Sequence, residues 1–537
     1  MIALTIDPDQ LSLAGLRGGV LAGRPVAVLG LARSGVALAR FLVDAGAEVT
    51  VYDGRSAGDL AEAVGRLDGR TVRLLAGPSV DPAEAVRGAA LVTTSPVISP
   101  DFPTTEPRLR AILQDLVARR AAGDLLAPAI VSEVDLFLRL CPAQTIGVTG
   151  TKGKTTTSAL IEHLLAADPS HRVILGGNIG RPLVERLFDL GPDDRVVVEL
   201  SELQLPTLSR GTHVAVYTNV TSDHLDRHGS LAAYRKVKRR LAELVDPDGC
   251  LVLNADDPTV AAYAGLGSAP DVMYRLDRPM VHGLGIRDGW IVADDVERLA
   301  LAGGGPAATG PGGRILPVAE LPLPGRHNVS NALAAISVAL LFGLAPDAIR
   351  AASATFPGVE HRLEPAGEID GVRFVNDSQG TQPDAVIAAL RAYPAPIVLI
   401  AGGRDKGVDL SELAPVVAER AAAAVLIGES GPALERLFRA AGLARTERAE
   451  GLEAAVGRAT VIAREVRAGL AARRPDDPDG VPRATVLLSP AAASFDMFPD
   501  YEARGRAFKA AVAALAAASA GPAGSPSPSS PSLLEDR

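Results

Sequence analysis

The stretch TIGVTGTKGKTTT, residues 145–157, decides how the rest of the chain is read. It runs from an apolar strand through a glycine-rich turn into a helix expected to begin at Thr155. That is the setting a phosphate loop requires. Gly150 and Gly153 let backbone N–H groups turn inward on phosphate oxygens. Lys154 then reaches the β- and γ-phosphates as a mobile point charge, and the Thr155 hydroxyl is placed to ligate a Mg²⁺ bridging them. Thr151, Lys152 and Thr156 complete the loop as ATP-binding candidates. The general pattern puts its first glycine where this chain has Val148, so the match is to the variant T-G-T-x-G-K-[ST]. The competing reading is a glycine-rich turn that binds nothing.

Composition frames this motif. A chain of 537 residues, 47% hydrophobic and 22% charged, can bury several cores and suits three or four domains. Its 63 acidic against 54 basic residues argue against a general nucleic-acid binder. Two cysteines, Cys141 and Cys250, make neither a disulfide framework nor a thiolate metal site, which fits a reducing compartment. The opening MIALTIDPDQ has no basic flank of a secretory signal, and no uncharged apolar run reaches membrane-spanning length. A cytoplasmic enzyme without membrane insertion is the expectation. The basic residues divide into 48 Arg and only 6 Lys: Lys152, Lys154, Lys236, Lys238, Lys406 and Lys509. Lysine positions are therefore enriched for places where a guanidinium cannot replace a compact, reactive amine.

Around the loop the chain reads as three α/β units in series. PVAVLGLARSGVALARFLVDAGAEVTVYD (25–53) is strand, Gly-rich turn, helix, strand, with strands over Val26–Leu29 and Val49–Tyr52. Such a unit sets a ligand phosphate on the helix N-terminus, near Gly30 and Ser34. The dinucleotide fingerprint G-x-G-x-x-G is here Gly30, Ala32, Gly35. The missing middle glycine favours a single-nucleotide ligand over a nicotinamide dinucleotide, and a unit without ligand is the plainer alternative. A second unit starts near Val131 and continues to about Glu360, with AGGGPAATGPGG (302–313) as a loop. A third begins at His361, with strands near Val372–Val375, Ile397–Ile400, Ala424–Ile427 and Thr485–Leu488. RRPDDPDGVPR (473–483) reads as a surface insertion, and the Ser/Pro/Gly-rich 519–537 as a disordered tail.

Two further segments carry chemistry. DRVVVELSELQL (194–205) is a buried strand ending in Glu199, where the second acid of a phosphate-loop enzyme binds Mg²⁺, although many strands end in Glu. TNVTSDHLDRHGS (218–230) gathers Asn219, Asp223, His224 and Asp226. Alone, His224 reads as a capping or packing histidine; beside a phosphate loop it becomes a candidate ligand. YRKVKRR (234–240) reads as the basic face of a solvated helix.

With these motifs quoted, the chain resembles the Mur ligase family, the ATP-dependent amide ligases of cell-wall precursor synthesis, from about Pro25 to about Ala518. The resemblance implies an α/β fold of three domains: a Rossmann-like UDP-sugar-binding domain (1–130), a central ATP-binding domain (131–360) and a C-terminal, Rossmann-like amino-acid-binding domain (361–518), followed by the tail 519–537. It makes His224 a ligand of a second Mg²⁺ together with Glu199. It makes YRKVK the family's Y-R-x-x-K, whose lysine, here Lys238, reacts with CO₂ to give a carbamate that ligates that metal. GGNIG (176–180) resembles the loop against the muramoyl end of the nucleotide, with Asn178 as its contact and Ser201 beside it. GRHNVSNALAA (325–335) would meet adenine through Asn328 and Asn331, although by its residues it is an ordinary polar helix start. Asp53 would read a uracil edge; the plainer reading is a strand-end acid.

In the third unit, HRLE (361–364) supplies Arg362, which in the family reaches the nucleotide phosphates, as a planar fork suits. FVNDSQGTQPDAVIAAL (374–390) sets Asp377 and Ser378 toward ATP and Thr381 toward the amino acid, with Gln379 where the family usually has Lys. AGGRDKG (401–407) supplies Lys406 for the carboxylate of the incoming amino acid. LLSPAAASFDMFPDYEARGRAF (487–508) looks like the S-P-A-x-A-S-x-D-x-F segment of the family member that adds D-glutamate, so Ser494, Phe495 and Tyr501 would contact glutamate. A helix cap with core aromatics is the bland alternative.

The implied activity joins D-glutamate to UDP-N-acetylmuramoyl-L-alanine through an acyl phosphate. Lys154 and two Mg²⁺ ions would neutralise the transferring group, Lys154, His224, Lys238 and Lys406 would be catalytic, and the third domain would close to exclude water. A monomer is expected. The alternatives are another ligase of this superfamily, including a folylpolyglutamate synthetase; a phosphate-loop ATPase uncoupled from synthesis; and a nicotinamide-dependent dehydrogenase.

Overall fold

A computed structural model describes residues 5–222, 225–295, 309–405, 407–473 and 481–519, the side chains of 225 and 226 excepted. The α/β class expected from sequence is what the chain adopts. The first sheet is all parallel, in the order β3-β2-β1-β4-β5, from β1 (Pro25–Leu29), β2 (Glu48–Asp53), β3 (Arg73–Ala76), β4 (Leu91–Thr94) and β5 (Ala129–Ser132). Val131 pairs with Thr93 here, so the expected start of the second unit falls inside the first sheet. The chain leaves β1 toward β2 and later returns across it to β4. A ligand crevice belongs at such a reversal, beyond the carboxyl end of the strand. Gly35, in the helix Arg33–Asp44, packs so closely that a Cβ there would run into the Gly30 carbonyl.

The second sheet has nine strands in the order β14-β13-β12-β11-β10-β9-β6-β8-β7. They are β6 (Gln144–Thr149), β7 (Val173–Gly177), β8 (Arg195–Glu199), β9 (Val214–Tyr217), β10 (Cys250–Asn254), β11 (Asp271–Tyr274), β12 (Gly283–Arg287), β13 (Trp290–Asp294) and β14 (Arg314–Pro317). From β7 to β12 the pairing is parallel; β12, β13 and β14 extend it antiparallel. The central strands are apolar because helices cover both faces: all five residues of β8 and all four of β9 are buried. The phosphate-loop helix starts at Lys154, one residue earlier than expected, and runs to Leu165.

The third sheet, β15-β16-β20-β17-β18-β19, is parallel apart from its edge strand β15. It comprises β15 (Glu364–Ile369), β16 (Val372–Asn376), β17 (Ile397–Gly402), β18 (Ala421–Ile427), β19 (Thr446–Arg448) and β20 (Ala484–Leu488), matching the four strands expected there. The chain divides into two compact units, Met1–Leu323 with His327–Pro357, and Pro324–Arg326 with Gly358–Arg537. The first two sheets lie in the former and the third in the latter.

Candidate active site

In the first unit the phosphate loop leaves the carboxyl end of β6, between β8 and β9. Its shape needs glycine: Gly153 sits at φ +85°, where an L side chain is strained, and a Cβ there would meet Asn331. The loop is braced from the residues after β9. Thr151 N donates to Asn219 O (2.7 Å), Lys152 N to Asn219 Oδ1 (2.9 Å), and Asn219 Nδ2 to Lys152 O (3.0 Å). Thr151 Oγ1 lies 3.0 Å from Tyr234 Oη. Lys154 Nζ donates to Gly150 O (3.0 Å) and Thr151 O (2.9 Å), which holds the ammonium over the loop itself. Thr155 is half-buried and Thr156 buried in the first turn that follows. Asn331 Nδ2 donates to Asn328 Oδ1 (3.1 Å), so both asparagines of the helix Arg326–Leu341 stand beside the loop.

Lys238 is the surprise in what had read as a solvated basic helix. The helix Leu231–Leu244 buries it completely. Its Nζ donates to Gly150 O (3.0 Å) and Thr149 Oγ1 (3.3 Å) and stands 5.6 Å over the Tyr234 ring. Thr149 Oγ1 in turn donates to Leu200 O (2.9 Å), next to Glu199. Lys154, Lys238 and the end of β8 thus converge on Gly150. Glu199 is buried; its Oε1 accepts from Asn178 Nδ2 (2.9 Å), while its Oε2 is buried with no hydrogen-bond partner among the described residues. A buried carboxylate oxygen without a donor is costly unless a cation meets it, so the donor set here fits a divalent ion. Among the described residues no three His, Cys, Asp or Glu side chains form a metal cluster, and His224 lies outside the described residues.

The nucleotide-sugar candidates occupy the same unit. Gly30 (φ +88°) opens the first turn, and half-buried Ser34 is the second residue of the helix that follows. Asp53, beside them, accepts from Leu31 N (2.8 Å) and from Arg55 Nε and Nη2 (3.0 and 2.8 Å). Burial pushes this carboxyl up, but Arg55 and the backbone donors outweigh it and hold it below its ordinary value. Asp53 therefore braces the Gly30 turn besides lining a cavity of about 340 Å³ with Gly30, Tyr52, Thr105, Leu203 and Arg227. Arg33, which sequence reasoning missed, links this turn to the 176–180 loop through Asn178 O (3.1 Å) and Gly180 O (3.2 Å). Its only signal was its place directly after the turn. Ser201 is buried, its hydroxyl donating to Gln204 Oε1 (3.0 Å).

In the second unit Arg362 stands between two residues in the left-handed region, His361 (φ 62°) and Leu363 (φ 47°). The segment is pinned by Leu363 N to Asp377 Oδ1 (3.2 Å), and Ser489 Oγ donates to Asp377 Oδ2 (2.6 Å). Burial pushes the Asp377 carboxyl up to about 6. Both Asp377 oxygens are thus engaged inside the fold. Thr381 is half-buried, its N donating to Gln379 O (2.8 Å). Gln379, which stands where the family usually has lysine, donates from Nε2 to Tyr501 Oη (3.4 Å). Ser494 is buried, whereas neighbouring Phe495 is 65% exposed, so the two side chains do not share one environment. Lys406 lies outside the described residues.

Comparison with known proteins shows the family. The Mur ligase middle domain model matches residues 148–339, and the Mur ligase, glutamate ligase domain model matches 361–471. A protein named UDP-N-acetylmuramoylalanine–D-glutamate ligase from Symbiobacterium thermophilum is 39% identical over 92% of this chain and 99% of its own length. One of the same name from Pelotomaculum thermopropionicum is 36% identical over 91% of this chain and 97% of its own. Among solved structures, the UDP-N-acetylmuramate-alanine ligase of Thermotoga maritima, 19% identical, superposes with a TM-score of 0.52, covering 91% of this chain and 99% of that one, and so shares the fold. By these matches, with its phosphate loop, buried Lys238 and Glu199, this chain belongs to the Mur ligase family.

Proposed function

We propose that the protein joins D-glutamate to UDP-N-acetylmuramoyl-L-alanine at the expense of ATP. The observation that carries this reading is the convergence of Lys154, Lys238 and the end of β8 on one phosphate loop, in a chain whose relatives carry that name. A carboxylate and an amine do not condense in water, because hydroxide is a poor leaving group. The alanyl carboxylate attacks the γ-phosphorus in line, the bond to ADP breaks, and an acyl phosphate forms. The glutamate amine then attacks the carbonyl carbon, and the tetrahedral intermediate expels phosphate.

Lys154 and the loop N–H groups offset charge on the transferring phosphoryl. Gly30, Ser34, Asp53, Asn178 and Ser201 take the nucleotide sugar, with Arg33 tying their two loops together. Asn328, Asn331 and Arg362 address ATP. Thr381, Lys406, Ser494, Phe495 and Tyr501 address the amino acid. Thr155 and Glu199, with His224 and Lys238 as its carbamate, would hold two Mg²⁺ ions, which neutralise phosphate charge when bound. The carbamate reading is supported by a lysine kept buried at the loop of an arginine-rich chain. We also propose that the enzyme works as a monomer in the cytoplasm.

The test is phosphate release. It is expected to require both the nucleotide sugar peptide and D-glutamate, and ¹⁸O placed in the alanyl carboxylate should appear in the phosphate released. Steady release with ATP alone would favour an uncoupled ATPase; preference for another amino acid would favour a different ligase of the family.

A further inference from the structure

The residue with most leverage over the amino-acid end of the site makes no hydrogen bond, among the described residues, to any of the amino-acid contacts proposed above. Arg504, in the helix Tyr501–Ser519, has no accessible surface. Its Nε donates to Ser378 Oγ (3.0 Å) and its Nη2 to Ser378 O (2.9 Å). Its Nη1 donates to Ala492 O (3.3 Å) and Ala493 O (3.2 Å). Ser378 Oγ passes the connection on to Tyr501 O (2.8 Å). One planar fork therefore clamps the loop after β16, which carries Asp377 and Thr381, to the loop after β20, which carries Ser494.

The third loop joins them through the backbone. Arg404 N donates to Ala493 O (2.9 Å), so Nη1 and the loop after β17 share one carbonyl. Ala491 N donates to Gly380 O (2.9 Å), closing the ring from the other side.

The acceptors are three carbonyls and a hydroxyl; none of them is a carboxylate. Burial lowers this guanidinium to about 10, Asp496 pulling it back up, so it stays charged at neutral pH. A buried charge surrounded by neutral acceptors keeps its field. That field lies beneath three loops proposed to take an amino acid with two carboxylates, in a chain that has Gln379 where the family usually has a lysine.

We propose that Arg504 is the positioning residue of the amino-acid subsite: it sets the spacing of the three loops and supplies the positive potential that an acidic amino-acid substrate meets. This rests on the ligase reading above. Lysine cannot replace it, because a point ammonium cannot span acceptors on two loops in one plane.

The experiment is steady-state kinetics on the full chain with all three substrates, for Arg504→Lys, Arg504→Met and Ser378→Ala, with melting curves alongside. Arg504→Lys keeps the charge and loses the fork. It is expected to raise the KM for D-glutamate about tenfold or more, leaving the KM values for ATP and the nucleotide sugar within about twofold. Arg504→Met loses both charge and fork and should raise it further. Ser378→Ala removes one acceptor and should move the same constant by about threefold; because Ser378 was also set toward ATP, it carries the test, if the Arg504 variants do not fold, through the rise in the KM for D-glutamate exceeding any rise in that for ATP. Equal rises in all three KM values, or no change in that for D-glutamate, overturn the proposal. Wild-type protein whose phosphate release ignores D-glutamate overturns the ligase reading instead, and this proposal with it.

Discussion

Lys238 is an ammonium without accessible surface, with a carbonyl, a hydroxyl and an aromatic face among its contacts. Burying such a charge costs several kcal/mol, so a merely structural role would be better served by an apolar residue. Its amine nitrogen is what arginine lacks. Lys238→Arg is expected to lower kcat by about 100-fold, and Lys238→Ala to regain activity with added formate or acetate; wild-type turnover in either variant without additive would remove the carbamate. Glu133 gives a second residue-scale test. Burial pushes its carboxyl up to about 7, with Val184 N (3.3 Å) pulling it down. The folded state then holds this proton more tightly than the unfolded chain does, so stability falls as pH rises from about 4.5 through about 7 and is flat above. Glu133→Gln removes that loss. Its melting temperature relative to wild type should climb between about pH 5 and about pH 8, a gain on the order of 3 kcal/mol at most. At this scale the scarcity of lysine was an informative guide. It pointed to Lys154 and Lys238, but equally to Lys509, which ties Glu360 (2.7 Å) and Glu364 (2.8 Å) beside the strained His361 segment, and the count alone could not tell that role from theirs. Arg33 and Arg504 stayed hidden because an arginine-rich sequence gives no reason to single out one arginine.

Elements were legible where the local signal was strong. A parallel strand with both faces covered reads as an unbroken apolar run, as β17 (IVLIAG), β18 (AAAAVLI) and Val196–Val198 of β8 do. The phosphate loop declared itself through its glycines. Gly153→Ala would place a Cβ on Asn331 and force a left-handed backbone that costs an L residue roughly 1–2 kcal/mol. It is expected to raise the KM for ATP at least about tenfold with little change in that for D-glutamate, measured by phosphate release; equal affinity for ATP would show that the loop does not grip phosphate as drawn. The extension of the second sheet was less legible. Residues 283–294 form a hairpin whose turn is Asp288-Gly289, with φ of 53° and 75°. An Asp-Gly pair between alternating segments is a strong hairpin signal, and the sequence reading, which followed the α/β alternation of the unit, did not use it.

At the scale of the whole molecule, three α/β units in sequence do not amount to three independent cores. One cluster of buried side chains runs from Ile6 to Ala269, joining residues of the first sheet to residues of the second, and Phe41 stacks on Phe188 at 5.1 Å across that junction. Arg139 adds a bond from the helix Glu133–Leu140 back to Asp9, and Asp135 of the same helix accepts from Ser209 N (2.6 Å). The third sheet is different. Both clusters that cover its faces draw on residues between Leu363 and Val512 alone. A sheet with its own helices on both faces and no borrowed core meets the conditions for folding alone, and a domain of about 150 residues buries about 70% of its chain's surface. A fragment spanning 358–519 is therefore expected to melt cooperatively, with α/β circular dichroism. A fragment spanning 1–142, which keeps the first sheet whole, should not, because it would expose the face that packs against Leu183, Val184 and Leu187. Differential scanning calorimetry and amide exchange on the two fragments decide it. A cooperative 1–142 fragment would mean that the shared cluster adds little to the stability of the first sheet, and an unfolded 358–519 fragment would mean that the third sheet needs residues its two core clusters do not include.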